Sequence, residues 1–147
     1  RLITIVVVIT LVVVMMIVLL SILPQRSFRI IAISRVGGFV GEIEELIIYS
    51  DGRAFYTTKK RGISREGKLS LTTISDLKAR ILTVLTYCGK NFKVKKGAAD
   101  LTSLHTLETG SCKITWIDDW AAEESIPSEL QELQLILKSI IEKICRT

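Results

Sequence analysis

The 147 residues predict an α+β fold: one N-terminal transmembrane helix followed by a small antiparallel β-sheet domain with two helices packed on one face. Three observations predict it. An apolar run without a charge extends from Leu2 to Leu23. Short β-rich segments punctuated by turn residues begin near Arg29, and two later stretches space their apolar residues by three and four. The resulting order after the first helix is strand, strand, strand, helix, strand, strand, helix, which segregates helices to one face of an antiparallel sheet. The organisation is a helix over 1–24, a linker over 25–28 and a domain over 29–147.

The apolar run decides the first element. As a helix of about 22 residues it would measure about 33 Å, against a hydrocarbon core of ~30 Å. Leu23-Pro24-Gln25 offers no small-residue cleavage site, so the run does not read as a signal peptide. Its many Val and Ile residues favour strand in water, but an isolated strand in lipid leaves its backbone unpaired, so helix is expected. Thr4, Thr10 and Ser21 can return their hydroxyls to the helix, and no ionisable group marks an ion path. The expectation is a single-pass anchor, or a packing surface for other helices, with localisation at a membrane. The same run inflates the hydrophobic fraction of 48% and the mean hydropathy of +0.41. Arg26, Arg29 and Arg35 follow it and Arg1 precedes it, which taken alone places the domain on the cytoplasmic side. Because the chain opens on Arg rather than Met, residues are expected upstream, and the side of the domain stays open.

Arg29 to Val36 is β-rich, as is Ile43 to Tyr49. Asp51-Gly52 between that run and Arg53 to Thr58 is a hairpin signal, so three strands follow in meander. Lys59 to Gly67, KKRGISREG, is basic and glycine-punctuated and reads as a long loop. Ser75 is a plausible N-cap for a helix whose stripe is Ile74, Leu77, Ile81, Val84 and Leu85, and Gly89 ends it. Asn91 to Asp100 is a second basic connector. Leu101 to Glu108 and Cys112 to Asp118 form a hairpin around Thr109-Gly110-Ser111, with Cys112, Ile114 and Trp116 on one face. Ser128 with Gln131 fits a capping box, or Pro127 takes the first helical position. The final helix buries Leu130, Leu133, Leu137, Ile140, Ile141 and Ile144.

Candidate chemistry is sparse. His105 is the only histidine; a metal would need two or three further ligands, for which Cys112 and Asp118 are the possible neighbours across the hairpin. There is no G-x-S-x-G elbow and no Cys-His constellation, so no catalytic residue, metal ligand or cofactor site is expected and the chain reads as no enzyme. Glu44-Glu45, Asp118-Asp119 and Glu123-Glu124 read as solvated surface, since adjacent strand residues point oppositely. Cys88, Cys112 and Cys145 show no C-x-x-C spacing; either Cys88 pairs with Cys112 in an oxidising space or all three are buried thiols. The basic residues cluster at Lys59, Lys60, Arg61, Arg65 and Lys68 and at Lys90, Lys93, Lys95 and Lys96. With Arg26 and Arg29, the residues Lys59, Lys60 and Arg61 are candidates to touch anionic headgroups or an acidic partner. A net charge of +5 without an aromatic platform argues against nucleic acid.

Gly37-Gly38-Phe39-Val40-Gly41 lacks the G-x-G-x-x-G spacing and leads into a strand, so it does not cradle phosphate. Its glycines suit a strand-to-strand turn, and Phe39 either plugs the edge of the core or projects towards a partner. GGF-x-G after a first strand, Asp51-Gly52, a mid-chain helix, a hairpin ending near Trp116 and Asp118, and Pro127 before a Leu-rich helix together resemble the emfourin family of protealysin inhibitors. The resemblance covers most of 29–145 and implies a small α+β domain that binds proteins, with inhibition of thermolysin-like metalloproteases as the family activity. It carries over Gly37, Gly38, Phe39 and Gly41 as a candidate protein-interaction loop. The basic insertion at 59–68 and the apolar N-terminal run depart from the family pattern. The function expected is therefore a noncatalytic accessory subunit of a larger membrane complex, with other membrane subunits and the lipid bilayer as partners and no small-molecule substrate. The alternative is a membrane-tethered protease inhibitor.

Overall fold

The computed structural model describes residues 2–22, 29–37, 41–98 and 102–146. Its elements are α1 (Leu2–Ile22), β1 (Arg29–Gly37), β2 (Glu42–Tyr49), β3 (Arg53–Thr58), β4 (Ser64–Lys68), α2 (Leu71–Val84), β5 (Ser103–Thr109), β6 (Cys112–Ile117) and α3 (Ser128–Arg146). The six strands make one antiparallel sheet in the order β4-β3-β2-β1-β5-β6. β1 is central because β2 and β5 both pair with it. The α+β domain with α2 and α3 packed together is thus as expected in class, with one strand more than expected.

That strand is β4. The stretch Lys59–Gly67 is not a long loop: it turns at once and Ser64 to Lys68 returns along β3, from Thr57↔Ser64 to Arg53↔Lys68. SREGK has no apolar alternation because it is an outer strand, and charged side chains there discourage further strand pairing. Gly52, at φ +89°, makes the preceding hairpin. A Cβ there would lie 2.6 Å from the Leu69 carbonyl oxygen, the residue whose N–H donates to Gly52 O.

Helix α2 begins at Leu71, one turn before the expected start. Ser70, not Ser75, is its cap, accepting from the Thr73 N–H at 3.2 Å. Its buried face is Ile74, Leu77, Ile81 and Val84; Leu85 belongs to a short 3-10 turn that follows. In α3 the buried residues are Leu130, Leu133, Leu137, Ile140 and Ile144. The capping box does not form: Gln131 turns its amide back to the Ile126 carbonyl and Ser128 Oγ donates to Glu129. α3 crosses the outer strands so closely that a Cβ on Gly67 would meet Ile144 Cγ1 at 2.9 Å.

One core unites the sheet and both helices, with Ile31, Ile48, Leu107, Ile114, Trp116, Leu130 and Leu133 fully buried. Cys88 and Cys112 form a disulfide that joins the turn after α2 to the start of β6, across a sequence separation of 24. Of the two alternatives for these cysteines, pairing is the one that holds; Cys145 is free and exposed.

The N-terminal element requires a correction. α1 is helical as expected, but no helix among the described residues is long and apolar enough to cross a membrane. The transmembrane, single-pass assignment of 1–24 and the membrane localisation built on it are therefore withdrawn. What α1 does show is an apolar helix outside the core cluster, with every large side chain from Val6 to Val18 between 49% and 64% exposed. The expected linker 25–28, Arg26 included, lies outside the described residues.

Candidate interaction surface

Strand register brings one row of side chains across the sheet. Thr58 pairs with Glu44, Glu44 with Arg35, Arg35 with His105 and His105 with Trp116, so five strands each contribute one member. The row lies at the end of the sheet where β1 turns into β2 and β3 into β4.

The candidate loop is at this end. Gly37 closes β1 opposite Glu42, and Gly41, at φ +57°, immediately precedes β2. Gly38 and Phe39 lie outside the described residues, so neither fate of Phe39 is decided. The basic turn is next to it: a Cβ on Gly41 would lie 3.5 Å from Lys60 Nζ. Glu42 locks the turn, accepting from the Lys60 N–H at 2.9 Å and from Arg61 Nε at 3.2 Å. Burial would raise the Glu42 pKa, but these donors outweigh it and hold the carboxyl below its ordinary value. Lys59, Lys60 and Arg61 are exposed. Arg29 is not with them: it starts β1 opposite Tyr49 at the far end, 3.9 Å from Glu108.

On the sheet face away from the row, the same end exposes apolar surface. Val36 and Leu104 are register partners, 41% and 40% exposed, and Trp120, in the 3-10 turn after β6, is 55% exposed. Sequence reasoning did not single out these three; Trp120 sits beside two acids in a stretch that reads as polar loop.

The acidic residues need two corrections. Glu44 is not solvated surface: its side chain is 19% exposed and is held by Arg35 at 3.7 Å and Arg61 at 3.2 Å. Asp118 is likewise drawn inward. Its Oδ2 accepts from the Ser103 N–H at 2.9 Å and the Thr102 hydroxyl at 3.2 Å, while Oδ1 is 3.1 Å from His105 Nε2. Burial acts to raise the Asp118 pKa; the Ser103 N–H, His105 and Thr102 together outweigh it and lower it. For His105, which is 4% exposed, burial dominates over the attraction of Asp118, and the ring is held neutral with a pKa below its ordinary 6.5. A carboxylate can only accept, so the neutral ring carries its proton on Nε2 and donates it to Asp118.

His105 also stacks on Trp116, with ring centroids 5.5 Å apart and planes at 22°. Trp116 donates its indole N–H to Gln134 Oε1 on α3 at 3.1 Å. Of the two neighbours foreseen for His105, Asp118 arrives and Cys112 does not, being in the disulfide. Among the described residues no cluster of three potential metal ligands occurs.

Between the row and α3 lies a cavity of about 230 Å³, walled by Leu46, Tyr56, Trp116, Leu137 and Ile141, with His105 and Gln134 at its polar side. Burial, with the nearby Glu44 charge, pushes the Tyr56 hydroxyl up to about 12, so it is neutral. Neither neighbouring hydroxyl is offered to His105: that of Ser103 accepts from Arg35 Nε at 3.1 Å and that of Thr102 is turned to Asp118. Geometrically the His105–Asp118 pair ties the start of β5 to the exit of β6.

Compared with known proteins, the chain matches no family model and no curated protein.

Proposed function

We propose that this chain is a noncatalytic accessory protein that binds other proteins through α1 and through the turn end of its sheet. One observation carries the reading: α1 offers large apolar side chains all around its described length and none of them joins the domain core. A helix apolar on every side is stable only when surrounded, and helices of partner chains can surround it. Exposed Val36 and Leu104, register partners at the end of the sheet that carries the exposed Lys59–Arg61 turn, supply a second surface of the mixed apolar and basic kind that protein interfaces use. The commitment of His105 to Asp118 supports a structural rather than a catalytic histidine. The test is gentle isolation of the full chain and of the chain lacking residues 1–24, followed by identification of bound proteins. Partners held by the full chain and lost on truncation support the reading; equal retention overturns the role of α1.

A second reading, inhibition of a thermolysin-like metalloprotease, is favoured by the placement of GGF-x-G. Gly37 ends β1 and Gly41 immediately precedes β2, where a Cβ would lie 3.5 Å from Lys60 Nζ, so the two ends of the motif lie at the end of the sheet that carries the basic turn. Mixing the protein with such a protease decides it: turnover unchanged at a large excess of protein rules it out.

A further inference from the structure

Gln134 contains a mismatch that points to a ligand. The indole N–H of Trp116 can only donate, which assigns Oε1 of the Gln134 amide as its acceptor and leaves the NH₂ on the other side. That NH₂ is 3.3 Å from His105 Nε2. Nε2 already carries a proton, given to Asp118 at 3.1 Å, so two donors face each other. Turning the amide over would set its NH₂ against the indole N–H instead. Either way one donor at the polar side of this partly open cavity lacks a lone pair from the protein and is available to a group that enters it.

The rest of the cavity describes what would supply it. Leu46, Trp116, Leu137 and Ile141 make most of the wall apolar. A cavity of about 150 Å³ admits a benzene ring, so about 230 Å³ has room for a ring with a short polar arm. Arg35 and Lys138 stand among the lining residues. Of the acids there, Glu44 is held by Arg35 and Arg61, Glu142 lies 4.0 Å from Arg146, and Glu45 is exposed. Lys138 has no paired acid among the described residues, which leaves one cation for an anion.

We propose that this cavity is a binding site for a small monocarboxylate with a compact apolar body, its carboxylate oxygen accepting from Gln134 and its charge facing Lys138. The sequence alone suggested no small-molecule partner, because the cavity's polar members come from three strands and a helix far apart in the chain. The inference does not depend on the accessory role proposed above.

Titration of the full chain with phenylacetate, followed by heteronuclear NMR or calorimetry, tests it. Saturable binding is expected, with shifts at the Trp116 indole and Gln134 side-chain signals. Phenethylamine, the same ring with an ammonium group, is expected to bind at least tenfold more weakly. Gln134→Leu should weaken phenylacetate at least tenfold. Lys138→Glu, an exposed change that leaves the fold intact, should weaken it about fivefold, and Ile141→Trp, which fills the space, should abolish it. Phenylacetate that does not saturate, phenethylamine that binds equally well, or affinity unchanged in Lys138→Glu would each overturn the proposal.

Discussion

Helices α1 and α3 are 21 and 19 residues long and both rich in aliphatic side chains, yet they relate to the domain in opposite ways. α3 confines its apolar residues to one stripe, buries Leu130, Leu133, Leu137, Ile140 and Ile144 in the core, and turns Glu and Lys outward. α1 is apolar all round, and none of its described side chains, Val6 to Val18, belongs to that core. The distribution of apolar residues around a helix, more than their number, determines whether the helix completes its own domain or needs another molecule.

Substitutions in the two helices sharpen this contrast. Leu133→Ala in α3, at a fully buried position, should destabilise the domain by about 4 kcal/mol in chemical denaturation, through lost transfer energy and a cavity. Val12→Ala in α1 should change the same transition by less than about 0.5 kcal/mol. Equal effects would mean that α1 belongs to the folding unit. Next in size is the disulfide. Cys112→Ser should cost about 3 kcal/mol, because the closed loop restricts the unfolded chain, and the loss should be reproduced by reductant on the parent protein. Gly52→Ala should cost roughly 2 kcal/mol, since a side chain at positive φ would also strike the Leu69 carbonyl. A folded variant of parental stability would show that the β2–β3 turn can shift.

The smallest effect is in pH. His105 is held below its ordinary value by burial, so below about 6.5 the unfolded chain takes up a proton before the folded one does. Stability contributed by the neutral ring is present above that value and lost as the pH falls through it. Asp118, also lowered, acts in the same direction further down, with loss beginning as pH falls towards its ordinary 3.8. Denaturation midpoints measured between pH 8 and 5 should fall with acid, and His105→Gln should flatten that slope. A midpoint that rises on acidification would show that the charged ring is the better bound form.

Much of this fold was legible in the sequence wherever periodicity and turn chemistry agree. Leu77, Ile81 and Val84 in α2 and the Leu-rich stripe of α3 fall where their spacing put them, and Asp51-Gly52 makes the hairpin it announces. β4 was illegible because an outer strand paired on one side needs no apolar alternation. The α2 cap was displaced to Ser70 because Thr72 and Thr73 hide the first turn from an apolar count. The helical state of α1 was readable, but its relation to its surroundings was not, since an all-apolar pattern states that cover is needed and not what provides it. At the candidate site, the exposed basic residues Lys59 to Arg61 could be read locally. The row from Thr58 to Trp116 could not, because it exists only through strand register, with partners such as Arg35 and His105 about seventy positions apart.

The central claim is that α1 is an element for contacting other proteins, attached to a domain that folds without it. A photo-reactive amino acid at Met15, in the middle of the exposed run, tests this in cells. The account predicts discrete protein adducts that vanish when the probe is moved to exposed Lys143 on α3. Adducts to lipid alone, or protection of Met15 by contacts within its own chain, would contradict it.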